Sequence, residues 1–154
     1  MKQMFLETVQ RAKVKFDFRI ENFCIMNNHV HLIVVPGRHS NLSKIMQWIL
    51  SVFAMRFNRV YGLKGHVWYD RFRSKVIDDI RQFLTTFLYI ARNPVRAFLV
   101  DDPFDYPYSG IRHIVEGRFN VLDPPIDMLA LLFPSFIQRS LPGNASDRLS
   151  FTLD

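Results

Sequence analysis

Met26-Asn27-Asn28-His29-Val30-His31-Leu32-Ile33-Val34-Val35-Pro36 is the stretch on which the fold turns. It reads as the turn and second arm of a β-hairpin. Asn27-Asn28 tolerates the positive φ of a tight turn, and the apolar run from Val30 ends at Pro36-Gly37 after a strand's length. Alternate side chains of a strand share a face, so His29 and His31 point the same way with Cα atoms about 6.6 Å apart. Both rings can then reach one divalent ion, while Val30, Leu32 and Val34 turn towards a core. Two such imidazoles are half a metal site.

Outward from this hairpin, the first arm is expected over about residues 18 to 26. A helix precedes it over about 3 to 16, with Met4, Phe5, Val9, Ala12 and Phe16 at helical spacing. After the hairpin, Ser40 or Asn41 can cap a long helix to Tyr61, which Gly62 stops. Trp48, Phe53 and Phe57 on it are expected in the core. His66 to Ile77 reads as an extended stretch or strand that puts Arg71, Arg73 and Lys75 on one face, either to track a phosphate backbone or as a solvated face. Asp78 or Asp79 then caps a helix ending at Pro94. Asp101 to Gly110 is turn-rich, a short helix is expected near Ile126 to Phe133, and the chain from Pro142 is polar. These elements predict one α+β domain over residues 1–133, with residues 134–154 as a tail that need not be ordered.

Charge is uneven along the chain. Residues 1–100 carry 16 Lys and Arg against 6 Asp and Glu, a net of +10, whereas residues 101–154 carry 4 against 8, a net of −4. A polyanion is a suitable partner for the basic part, since phosphate neutralisation drives nucleic-acid affinity. No run of about 18 apolar residues is present and the N-terminus lacks a signal-peptide core, so a cytoplasmic location with no membrane partner is expected. Cys24, between Phe23 and Ile25, reads as a buried strand thiol without chemistry. His39, His66 and His113 read as exposed or structural.

The helix before Pro94 supplies the second half of the site. On a wheel of about 100° per residue, Ile80, Leu84, Phe87 and Ala91 define its buried face, with Phe83 beside them. Tyr89 falls roughly opposite, and Asn93 lies near it one turn on. A carboxamide can give its oxygen to a hard metal while a phenol one turn away presents a nucleophilic oxygen to a phosphate held there.

The sequence closely resembles the single-tyrosine HUH transposases, in particular the REP-associated tyrosine transposases. Four segments carry the resemblance: Met26 to Val34; Trp68 with Arg71-Phe72 and Val76-Ile77; Tyr89-Ile90-Ala91-Arg92-Asn93-Pro94-Val95-Arg96-Ala97; and Tyr106-Pro107-Tyr108-Ser109. It spans about residues 4–116. The resemblance implies a ferredoxin-like, RRM-like HUH fold with a central antiparallel sheet and flanking helices. It implies that His29, His31 and Asn93 bind Mg²⁺ or Mn²⁺, and that Tyr89 becomes joined to a DNA 5′ phosphate during cleavage and strand transfer. Single-stranded or hairpin DNA is the implied partner, gripped by Arg71, Arg73, Lys75, Arg92 and Arg96, with the protein acting as monomer or homodimer. Three departures stand out. The strand and basic arm that family members carry before the first helix are not in this sequence, Tyr69 replaces a frequent glutamine, and Phe98 replaces a frequent glycine. A non-catalytic, truncated nucleic-acid-binding remnant is the alternative expectation. A His-x-His hydrolase of barrel type would need about 250 residues.

Overall fold

The Asn27-Asn28 turn closes the hairpin as the sequence predicts, with the Met26 N–H donating to the His29 carbonyl at 2.9 Å. The structure is a computed structural model that describes residues 1–68, 72–125 and 129. Its elements run α1 (Lys2–Lys15), β1 (Phe18–Ile25), β2 (Val30–Pro36), α2 (Leu42–Tyr61), α3 (Ile80–Arg96), a 3₁₀ turn (Pro103–Asp105) and α4 (Gly110–Val115). Among the described residues the sheet is the antiparallel pair β1–β2, with Cys24 opposite His31 and Phe23 opposite Leu32. The class is α+β, as expected. No helix among the described residues is long and apolar enough to cross a membrane.

Helix ends follow their capping residues. Asn41 accepts from the Lys44 N–H, and Gly62, at φ +62°, closes α2 in the left-handed conformation that a Cβ would disfavour. Asp79 accepts from the Gln82 N–H at 2.8 Å, and Gln82 returns a bond from the Asp78 N–H to its Oε1, also 2.8 Å. Phe5, Leu6, Val9 and Ala12 of α1 bury against α2, where Phe5 meets Phe53 edge-on with centroids 5.5 Å apart. Phe53 is buried, and Trp48 and Phe57 pack half-buried against the core. Cys24 is buried too, and that burial pushes its thiol pKa up to about 12, which leaves it without nucleophilic chemistry at neutral pH.

The register slips between Ile20 and Asn22, making Glu21 a β-bulge. The bulge turns Asn22 into the interior, where its Nδ2–H donates to the Phe87 carbonyl of α3 at 3.0 Å and its Oδ1 accepts from the Phe23 N–H at 2.8 Å. Gly110 packs so closely here that a Cβ would lie 2.4 Å from Asn22 Oδ1. The outer edge of β1 is covered. Ile25 donates to the Tyr108 carbonyl, Ile20 exchanges bonds with Asp123, and Lys13 forms an ion pair with that carboxylate.

Several expectations are corrected. α3 does not stop before Pro94 but runs through it to Arg96, because proline forfeits only its own donor, and the Ala97 N–H still reaches the Asn93 carbonyl at 3.0 Å. Ile80, expected on the buried face, is 48% exposed at the helix start beside exposed Asp78 and Asp79; Ile90, Asn93 and Pro94 are buried instead. Residues 72–77 form no strand, since no backbone ladder joins them to the sheet among the described residues. Val30, Leu32 and Val34 are only half-buried. α4, begun by the Ser109 cap, was not anticipated. Tyr69, Arg71, the helix expected near Ile126–Phe133 and the tail 134–154 lie outside the described residues.

Two local features carry measurable consequences. Helix α3 ends with the Leu99 N–H bonded to the Pro94 carbonyl and the Phe98 N–H to the Val95 carbonyl, which puts Phe98 at φ +55° with its ring 96% exposed. This is the position that glycine usually takes. Phe98→Gly is therefore expected to stabilise the fold by about 0.5–1 kcal/mol in chemical denaturation. His113, 2% exposed, has no hydrogen-bond partner for either ring nitrogen among the described residues and packs edge-on to Phe23. Burial first, then the Arg118 charge, lower its pKa to about 4, against a smaller opposing effect of Glu116. Between pH 6.5 and 4 the unfolded chain binds a proton that the folded chain refuses. Stability should fall on acidification through that window, by up to about 1.4 kcal/mol per pH unit. Denaturation midpoints of wild type and His113→Phe at pH 7 and pH 4.5 check this, and the loss attributable to His113 should vanish in the variant.

Candidate metal and nucleophile site

β2 and α3 meet at the end of the hairpin, where strand alternation and helical spacing deliver four of the expected side chains. The rings of His29 and His31 lie 4.8 Å apart, centroid to centroid, at 82°. His29 precedes the first paired residue of β2 and is exposed, while His31 is half-buried. Asn93 Nδ2 sits 3.1 Å from His31 Nε2. The Tyr89 ring packs 5.5 Å from that of His31, edge to face.

Asn93 was expected on the polar side of its helix with Tyr89, and it is instead 9% exposed. The difference is informative, because a buried carboxamide needs a partner and this one takes an imidazole nitrogen. Two ligands at right angles on one Mg²⁺-sized ion at about 2.1 Å stand about 3.0 Å apart, close to the spacing found here. Turning the Asn93 amide over presents Oδ1 to the same point. Asn28, read from the sequence only as a turn residue, does more. Its Oδ1 lies 2.8 Å from His29 Nδ1, where an Nδ1–H donating to it leaves the Nε2 lone pair for a metal. Burial, and secondarily the neighbouring His29, push the His31 pKa down, so this imidazole stays neutral with a lone pair available. The donor set fits a hard divalent ion.

Tyr89 is 44% exposed, and the Arg96 guanidinium lies 5.4 Å from its ring centroid. The other described tyrosines stand apart. Tyr106 is buried with its hydroxyl donating to the Ile25 carbonyl and accepting from Lys2, Tyr108 is half-buried beside it, and Tyr61 packs its ring on Phe57 at the C-terminal end of α2. Arg92 and Arg96 are exposed on α3, and Arg73 and Lys75 are exposed on the segment that runs past β2 but not in a strand. Among the described residues no cluster of three His, Cys, Asp or Glu forms a metal centre, which leaves the two histidines and the carboxamide.

The sequence signature described as "Transposase IS200 like" matches residues 1–93 and so takes in His29, His31, Tyr89 and Asn93. The chain belongs to the IS200-like transposase family. Among solved structures it is similar to a REP-associated tyrosine transposase bound to a REP hairpin, with a TM-score of 0.65 at 22% identity over 95% of this chain and 76% of that one. No match was found among curated proteins. The resemblance drawn from the His-x-His and Tyr-Ile-x-x-Asn segments is thereby borne out at the level of family and fold.

Proposed function

We propose that this IS200-like protein cuts and rejoins single-stranded DNA at hairpin-forming repeats, with a divalent metal ion and a covalent bond from Tyr89 to a 5′ phosphate. The observation that carries this reading is the meeting of His31, Asn93 and Tyr89 at one point of the surface. His29, His31 and Asn93 would hold Mg²⁺ or Mn²⁺. Bound there, the ion supplies charge that polarises a non-bridging phosphate oxygen. Tyr89 Oη attacks phosphorus and gives up its proton; the bond to the 3′ oxygen breaks, and that oxygen leaves as a hydroxyl after gaining a proton. The phosphodiester energy is kept in the phosphotyrosine, so the reverse attack by a 3′ hydroxyl rejoins DNA. Arg96, beside the Tyr89 ring, and Arg92 grip the DNA backbone together with the Arg71, Arg73, Lys75 row. The proposal carries with it a cytoplasmic location, as a monomer or homodimer.

The test is incubation with labelled hairpin DNA bearing a single-stranded flank, plus Mn²⁺. A denaturation-resistant protein–DNA adduct and a released fragment with an extendable 3′ hydroxyl are expected. A second reading, a binding protein without turnover, is favoured by the small sheet that supports the histidines, two strands among the described residues. It predicts bound metal and bound DNA with no adduct.

The grip has its own readout. Replacing Arg71, Arg73 and Lys75 by alanine should weaken hairpin affinity and flatten its salt dependence by about 0.7 in log–log slope for each lost single-strand phosphate contact. Filter binding across a salt series measures both. Unchanged affinity and slope would leave the row as a solvated face.

A further inference from the structure

The exposed residues of α3 after Ile80 fall on one line along the helix: Arg81, Thr85, Tyr89, Arg92 and Arg96. At about 100° per residue they lie within an arc of about 80°, and at about 1.5 Å per residue the line is about 22 Å long with Tyr89 near its middle. No Asp or Glu occurs between Ile80 and Arg96. The acids nearest in sequence stand beyond the helix ends, where Asp79 and Asp102 accept the Gln82 and Phe104 N–H groups. Among the described residues Arg81, Arg92 and Arg96 form no ion pair. Unpaired guanidinium groups are costly to bury, so this line is not a face that protein covers as core.

Both ends of the line carry residues that the helix would not choose for its own stability. Arg81 places a cation in the first turn, where the helix dipole disfavours it. Phe98, two residues past Arg96, holds φ +55° with its ring 96% exposed, where glycine would relieve the backbone. Departures from local preference at both ends of one exposed line mark a surface kept for binding.

We propose that this face of α3 is a track for single-stranded DNA running past Tyr89 on both sides, with Arg81 holding a backbone phosphate of one flank and Phe98 stacking on an unpaired base of the other. The track rests on the reading of Tyr89 as the residue joined to DNA. Arginines neutralise phosphates and an aromatic ring stacks on any base, the combination by which proteins hold single strands. At the 3.4 Å rise of a stacked strand the line takes about six nucleotides, and Phe98 stands about four from Tyr89. A protein partner fits less well, because one phenyl ring beside Leu99, itself 39% exposed, is a small apolar patch among arginines. Held on both sides, the fragment with the new 3′ hydroxyl stays beside the phosphotyrosine it must attack for rejoining.

Anisotropy titration of labelled hairpin DNA with single-stranded flanks, in EDTA so that nothing is cut, tests this. Arg81→Ala should weaken binding several-fold and lower the log–log salt slope by about 0.7. Phe98→Ala should weaken it about 10-fold or more with the slope unchanged, since stacking releases no counterions, and Phe98→Trp should keep wild-type affinity. Phe98→Gly should weaken DNA binding while raising the denaturation midpoint, which a purely structural residue does not do. Removing one flank should erase the effect of Arg81→Ala and removing the other that of Phe98→Ala. Unchanged affinity in Arg81→Ala or Phe98→Gly, both effects lost with the same flank, or a shifted monomer–dimer balance in Phe98→Gly with DNA affinity intact, would overturn the track. These binding losses without any adduct from wild type would overturn the strand-transfer reading alone.

Discussion

Tyr89→Phe should abolish the covalent protein–DNA adduct, a loss on the order of 10³-fold or more, while leaving folding, metal affinity and hairpin affinity nearly unchanged. The substitution deletes one oxygen. The ring that packs against His31 and under Arg96 is kept, and no donor of the histidine–carboxamide set is touched. Tyr61→Phe and Tyr108→Phe serve as controls, since their rings pack on Phe57 and Tyr106 rather than on His31, and each should keep full adduct formation. Denaturing gels of wild type and variants with hairpin DNA and Mn²⁺ decide the matter, and peptide mapping of the wild-type adduct should place the DNA on Tyr89. An adduct that survives in Tyr89→Phe would move the nucleophile elsewhere.

The second large effect concerns the ion. His29→Ala with His31→Ala should eliminate the single Mn²⁺ site that calorimetric titration is expected to detect in wild type, and adduct formation with it. Asn28→Ala gives an intermediate case. It removes only the acceptor that fixes His29 Nδ1, so affinity should fall by about 10–100-fold, the usual consequence of losing the group that orients a ligating imidazole. Equal affinity in wild type and the double histidine variant would separate the histidines from metal altogether. Tyr89→Phe and the histidine variants should also differ in kind: the first binds metal but forms no adduct, and the second fails at metal.

The parts of this architecture that were legible in the sequence are those written in local rules. The Asn27-Asn28 turn, the Asn41 and Asp79 caps and the Gly62 stop depend on a few neighbouring residues, and strand alternation alone paired His29 with His31. What escaped was set by distant chain. Asn93 was placed on a polar helix face because the wheel counts apolar neighbours on one helix, whereas its burial comes from β2, 62 residues away. Pro94 looked like a terminus because its missing donor is a local fact, while the burial that keeps the helix intact around it is not. The extended reading of residues 72–77 failed as a strand for the same reason, since an alternating pattern does not say whether an edge will pair. α4 is too short for periodicity, and only Ser109 before Gly110 could have announced it.

Asn22 has a consequence that reaches past stability. Its carboxamide spans the gap between the bulge in β1 and the Phe87 carbonyl, two residues before Tyr89, and Gly110 leaves it no room to shift. One uncharged side chain therefore gauges how high the Tyr89 helix rides over the histidine strand. Chemistry at such a centre can be detuned by a residue that never meets metal or DNA. Variation at position 22 would register as misalignment between an intact Tyr89 and an intact histidine pair, a route by which the proposed strand transfer could be lost while the fold is kept.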